Sequence, residues 1–152
     1  MVECMFELND KPMSALKCRM IEFEAFSGLG EYVNRKSFSC APDFGPIPAG
    51  SYYIVDRESG GLLGALRDHF NGREKWFALY AADNRVDDET FCDKVKRGQF
   101  RLHPKGPLGI SQGCIVINDA AQFLTLRGIL KSAPPAPIPG TKWSAYGRLT
   151  VK

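Results

Sequence analysis

Proline and glycine break this chain so often that long helices and long central strands are excluded over much of it. The stretch 40–50 holds Pro42, Gly45, Pro46, Pro48 and Gly50. Proline has no N–H for a helix interior or a central ladder, so this stretch must be loop. A second break, 133–140, carries Pro134, Pro135, Pro137 and Pro139 and is expected to be extended. Gly60-Gly61 adds another interruption. Short segments remain between the breaks, and most of them have strand chemistry.

Ser51-Tyr52-Tyr53-Ile54-Val55 is aromatic and β-branched, a strong strand signal. Trp76-Phe77-Ala78-Leu79-Tyr80, within 75–81, reads as a buried strand. At the N-terminus, 4–8 and 19–26 read as strands joined through the turn Asn9-Asp10-Lys11-Pro12, a β-hairpin. Met20, Glu22 and Glu24 alternate there with Ile21, Phe23 and Ala25. The segments 99–103 and 114–117 are expected to be strands flanking a loop, and 146–151 a last strand. Asn118 or Asp119 is a good N-cap for one main helix ending near Lys131, with Phe123, Leu126 and Leu130 on one face. A short additional helix is expected over 62–70, carrying His69 as a structural or exposed residue. Ser27–Lys36 reads as a loop; its Gly28 and Gly30 lack the following helix of a nucleotide fingerprint. The expected class is mainly β, in one domain spanning 1–152.

Composition narrows the function. The formal net charge is +3 and no run of five like charges occurs, so nucleic-acid binding is not indicated. No apolar stretch approaches the roughly 18 residues of a membrane helix. Glu3, Glu7 and Asp10 stand where a secretory leader would carry basic residues, so export by a cleaved leader is not expected. The acidic stretch 83–93 lacks the ligand spacing of a calcium loop and reads as a solvated loop. Five cysteines with no Cys-x-x-Cys pair exclude the common zinc and thioredoxin patterns. An odd count fits one functional thiol plus up to two disulfides, Cys40–Cys92 being the pair we expect on that count alone; five buried thiols are the alternative.

The chemistry concentrates in Phe100-Arg101-Leu102-His103-Pro104 and Ser111-Gln112-Gly113-Cys114-Ile115. A reactive cysteine needs a base, since its thiolate is the nucleophile. It also needs small neighbours and backbone N–H groups to hold an oxyanion. His103 ends a strand at Pro104 and has the side chain suited to proton transfer near neutral pH. Cys114 follows Gly113, whose N–H, with that of Cys114, is expected to form the oxyanion site. Ser111 and Gln112 complete this loop, the Ser111 hydroxyl anchoring it or a substrate carbonyl. Arg101, two residues before His103, leaves the same strand face and could clamp a substrate carboxylate or form an ordinary ion pair. A buried structural role for Cys114 is the competing reading.

His-Pro followed by Ser-x-Gly-Cys-Ile resembles the catalytic motif of L,D-transpeptidases of the YkuD type. Gly45-Pro46-Ile47-Pro48-Ala49-Gly50-Ser51-Tyr52-Tyr53-Ile54 resembles the Thr-Pro-x-Gly-x-Phe segment of those enzymes. The closer resemblance, over about 5–131, is to the L,D-transpeptidase-like effectors of type VI secretion, once a domain family of unknown function. Gln112 stands where the general motif has a second histidine, Val116 where it commonly has arginine or asparagine, and the gap from His103 to Cys114 is shorter.

The resemblance implies an L,D-transpeptidase-like β-sandwich with Cys114 as nucleophile and His103 as base, acting without metal or cofactor. It implies an antibacterial toxin that acts on peptidoglycan tetrapeptide stems in a target cell's periplasm. The reactions would be L,D-carboxypeptidase and D-amino-acid exchange. Such a protein would be made in the cytoplasm without a signal peptide and act as a monomer. It would travel by a type VI delivery component and be countered by a periplasmic immunity protein, with no nucleic acid or membrane insertion involved. A papain-like peptidoglycan amidase is disfavoured because His precedes Cys here. A non-catalytic wall-binding β-domain remains the other alternative.

Overall fold

The computed structural model describes residues 1–57, 72–106 and 112–152. The expected helix over 62–70, with His69, and the Ser111 position lie outside the described residues. The strands are β1 (Val2–Phe6), β2 (Ser14–Cys18), β3 (Ile21–Ser27), β4 (Gly50–Asp56), β5 (Phe77–Ala81), β6 (Glu89–Cys92), β7 (Val95–Gly98), β8 (Arg101–Pro104), β9 (Ile115–Ile117), β10 (Ala136–Pro137) and β11 (Ser144–Val151). The main helix, α1, is Ala120–Leu130. The mainly β class is therefore observed.

The main sheet runs β1-β2-β3-β9-β8-β5-β4-β11-β10, and β1 also pairs with β11. That added pairing closes the sheet on itself, giving a barrel-like ring with no free edge between β1 and β11. Two neighbouring pairs are parallel, β1 with β11 and β8 with β9.

Side chains alternate between the inside and outside of this ring. Phe6, Leu16, Phe23, Ile54, Phe77, Leu79, Leu102, Ile115, Ile117 and Leu149 point inward and form the main core. Each such side chain contributes about 1.5–3 kcal/mol on burial. Helix α1 packs on β3, β8 and β9 and adds Phe123, Leu126 and Leu130 to that core. Its N-cap is Asp119, whose carboxylate accepts from the Gln122 N–H at 2.9 Å. A smaller cluster of Val55, Ala78, Tyr80, Ile138 and Ala145 covers the outer face of β4, β5 and β11.

Two stretches differ from expectation. The N-terminal hairpin contains an additional strand, β2, followed by a tight turn at Arg19 (φ 57°). Only Ser14, Leu16 and Cys18 of β2 face inward, too short a pattern to stand out. The acidic stretch is not all loop: Glu89–Cys92 pairs with Val95–Gly98 as a separate hairpin. Its turn residues, Asp93 and Lys94, have φ of 45° and 67°, the positive values of a two-residue type I′ turn.

Disulfides join Cys4 to Cys18 and Cys40 to Cys92, the second being the expected pair. Cys114 belongs to neither. The described residues include no helix long and apolar enough to cross a membrane.

Candidate active site

The register of β8 and β9 decides which side chains meet. Leu102 pairs with Ile115 and His103 with Val116, in parallel. One step earlier, Arg101 stands opposite Cys114. Leu102 and Ile115 belong to the interior core, so Arg101, His103, Cys114 and Val116 share the outer face. Cys114 and His103 are therefore diagonal neighbours on adjacent strands.

His103 is nearly buried, at 6% exposure. Its Nδ1 lies 2.8 Å from the Pro104 carbonyl oxygen. A carbonyl only accepts, so Nδ1 carries the proton and the neutral ring presents Nε2 as the base. The register explains the ring's cover. Phe77 pairs antiparallel with Leu102, which sets Trp76 opposite His103. The two rings stack with centroids 4.2 Å apart and planes 17° from parallel. The Arg73 guanidinium lies over the indole, 5.4 Å from the Trp76 centroid. Burial pushes the imidazole pKa down; the Pro104 carbonyl opposes this and the Arg73 charge adds to it. The resting histidine is therefore neutral at pH 7.

Burial likewise pushes the Cys114 thiol pKa up. The N–H groups of Arg101 and Gln112 and the Arg101 charge act in the other direction, favouring the thiolate, while Asp88 disfavours it. The thiol and the imidazole therefore both rest neutral.

Arg101 is held by Asp88 in a two-pronged ion pair, Nη1 to Oδ1 at 2.7 Å and Nη2 to Oδ2 at 2.6 Å. Nη1 also donates to the Phe100 carbonyl at 2.9 Å. The guanidinium is therefore satisfied within the chain, between the carboxylate of Asp88 and the thiol.

Gly113 has φ of +91°, in the left-handed region. A β-carbon there would stand 2.7 Å from Arg97 Nη2 and 2.8 Å from the Phe100 ring. Only glycine lets the chain pass this point into β9. Arg97 itself is buried and donates to the carbonyls of Ser39, Pro46 (3.3 Å) and Gly45 (3.0 Å). Gly45 is tight for a different reason: a β-carbon would collide with the Phe38 carbonyl oxygen. Ile47 N–H donates to Ser27 Oγ, and Tyr52 Oη to the Pro48 carbonyl, at 2.9 and 2.8 Å. The Gly45–Pro48 segment is thereby fixed against the Gly113 turn through one arginine.

Of the sequence-selected residues, the fold brings Arg101, His103, Gly113 and Cys114 together, with exposed Gln112 at the rim. Trp76, Asp88 and Arg97 join them, and no local pattern had marked any of the three as a site residue. Trp76 and Asp88 become visible only once strand pairing is known, and Arg97 only once the proline-rich loop is placed. Among the described residues, no three His, Cys, Asp or Glu side chains converge as a metal site would require.

A family model described as the Tlde1 domain matches residues 21–141. No curated protein and no solved structure matches the chain.

Proposed function

The chain belongs to the Tlde1 domain family, a family of type VI secretion effectors, and from that premise we propose that it is a cysteine-dependent L,D-carboxypeptidase and L,D-transpeptidase acting on peptidoglycan tetrapeptide stems. The observation that carries this reading is the shared outer face of β8 and β9, with Cys114 beside a neutral, correctly protonated His103.

The Cys114 sulfur attacks the carbonyl carbon of the third stem residue as His103 Nε2 takes the thiol proton. The amide bond to D-alanine breaks, and the nitrogen leaves with the proton returned by His103. A thioester remains on Cys114. Water or the amine of a free D-amino acid then attacks it, losing a proton to His103, and the sulfur departs and is reprotonated. Hydrolysis leaves a tripeptide stem; aminolysis exchanges the terminal residue. Either product deprives the target cell of donor stems.

A neutral resting pair suits this sequence, because the proton moves only as the carbonyl is attacked. The N–H groups of Gly113 and Cys114 remain our candidates for the oxyanion. Arg101 supports the developing thiolate. The partners that follow are a delivery component and an immunity protein in the target's periplasm, where the two disulfides would be kept oxidised.

The test is mass spectrometry of tetrapeptide muropeptides incubated with purified protein. D-Alanine release by the wild type, abolished in Cys114→Ala and in His103→Ala, is expected. Full activity in Cys114→Ala would overturn the assignment. A wall-binding domain would show no release and no excess reactivity of Cys114 toward alkylating agents.

A further inference from the structure

A histidine that takes a proton in mid-reaction becomes a cation, and His103 sits where a cation is disfavoured. As Cys114 Sγ bonds to a carbonyl carbon, the thiol proton passes to Nε2 and the ring becomes an imidazolium. Burial of the ring opposes that charge, and so does Arg73. The Pro104 carbonyl works in the other direction, by accepting from Nδ1. The second neighbour suited to a positive ring is the indole of Trp76.

Local structure explains how Trp76 reaches the site. A single 3₁₀ turn, Arg73–Lys75, precedes β5. Three residues complete a turn of such a helix, so Arg73 and Trp76 leave it on one side. The Trp76 N–H donates to the Arg73 carbonyl at 3.1 Å, and Arg127 Nε of α1 donates to the Lys75 carbonyl at 3.3 Å. The turn is thus held between strand and helix. The half-buried indole lies nearly flat on the imidazole, 4.2 Å between centroids and 17° between planes. The Nδ1 hydrogen bond sets the ring's rotation within its plane, and the stack sets the plane. An indole face carries the negative part of the aromatic quadrupole and attracts a cation within about 6 Å of its centre. The guanidinium carbons of Arg73 and Arg57 stand 5.4 and 6.0 Å from that centre. The imidazolium, once formed, is nearer than either.

We propose that Trp76 is a positioning residue for His103, holding the imidazole plane and stabilising the imidazolium through the indole face. The inference deepens the acyl-transfer reading above and rests on it for the step that protonates His103. The other charged groups on the surrounding elements are engaged elsewhere. Arg101 on β8 pairs with Asp88, Arg127 of α1 binds the turn, Glu74 and Lys75 are exposed, and Cys114 on β9 rests neutral.

The experiment compares wild type with Trp76→Phe and Trp76→Leu, following His103 by NMR titration of its Cε1 carbon. The chain has two histidines, and His103→Ala assigns the signal. Leucine keeps apolar cover and removes the π face, whereas phenylalanine keeps a smaller π face. The His103 midpoint should fall by about 0.5–1 pH unit in Trp76→Leu and by less in Trp76→Phe. A residue that merely covers the ring gives the opposite sign, because a smaller cover admits water and the midpoint climbs toward 6.5. A rise or no change in Trp76→Leu would overturn the proposal. If that variant does not fold, a Trp76→Phe midpoint at or above that of wild type overturns it. With a disaccharide tetrapeptide, kcat for D-alanine release should fall about tenfold in Trp76→Leu and about threefold in Trp76→Phe, with KM little changed. Unchanged kcat in both would also overturn it. The titration needs no substrate, which keeps the two readings apart. A lowered midpoint in a protein that releases no D-alanine leaves the positioning role standing and removes the stem-peptide reading. Release of D-alanine with an unshifted midpoint removes the positioning role alone.

Discussion

Arg97 and Arg101 stand on neighbouring strands of the same stretch, and both are largely buried, yet they are satisfied in opposite ways. Arg97 donates to neutral carbonyls from Ser39, Gly45 and Pro46. Arg101 faces the two oxygens of Asp88. The first arrangement keeps a positive charge where it fixes three loop carbonyls, and it serves shape. The second neutralises most of a charge that sits beside the thiol. Burial keeps the Cys114 sulfur protonated at rest; the Arg101 charge favours the thiolate and Asp88 opposes it. One arginine builds the turn that carries the nucleophile, and the other, with its carboxylate, tunes the nucleophile's protonation.

Breaking the Arg97 side is expected to cost stability first. Cys40–Cys92 ties the loop that Arg97 grips to the hairpin that carries Arg97. Replacing both by serine should lower unfolding free energy by about 4 kcal/mol on the chain-entropy account, against about 3 kcal/mol for the shorter Cys4–Cys18 loop. Urea unfolding measures both, and an equal or reversed order would contradict the role given to Cys40–Cys92. Gly113→Ala should cost about 3 kcal/mol, because the new methyl meets Arg97 and Phe100 on a left-handed backbone. Arg97→Met, which leaves buried carbonyls without donors, should cost a similar amount, about 3 kcal/mol, while leaving the Cys114 alkylation profile in place.

Breaking the Arg101 side should do the reverse. Arg101→Gln leaves the partly buried Asp88 carboxylate without its guanidinium and is expected to cost about 2 kcal/mol, less than the Arg97 substitution. It should move the pH midpoint of iodoacetamide labelling of Cys114 further above the usual 9.0, since it removes a charge that favours the thiolate. Asp88→Asn removes a charge that disfavours it and should move the midpoint down. Midpoints that do not separate in these directions would undo the comparison. The smallest expected effect concerns His103. Its pKa lies below the usual 6.5, so kcat/KM should rise as pH climbs through that lower value and be level by neutrality. An acid limb centred above 6.5 would show that the imidazole rests charged.

Some of this architecture is written in local sequence patterns and some is not. Helix α1 announces itself through Asp119 and the spacing of Phe123, Leu126 and Leu130, all local signals. His103 and Cys114 stand out because one is followed by proline and the other preceded by glycine. Strand β2 is hidden because its inward residues are Ser14, Leu16 and Cys18, and β6 because Glu89 and exposed Phe91 look like loop. Asp88, Trp76 and Arg97 are out of reach for a different reason. Their partners are chosen by strand register and by where a proline-rich loop lands, and no local pattern encodes either. The two arginines look alike in the sequence, and only their acceptors distinguish them.

The most direct test of the central claim is intact-protein mass spectrometry after rapid acid quench of protein mixed with a disaccharide tetrapeptide. The account predicts an adduct equal to the substrate minus D-alanine, mapped by peptide digestion to Cys114 and absent from Cys114→Ala. Release of D-alanine with no adduct on Cys114 at any quench time, together with undiminished release by Cys114→Ala, would contradict it.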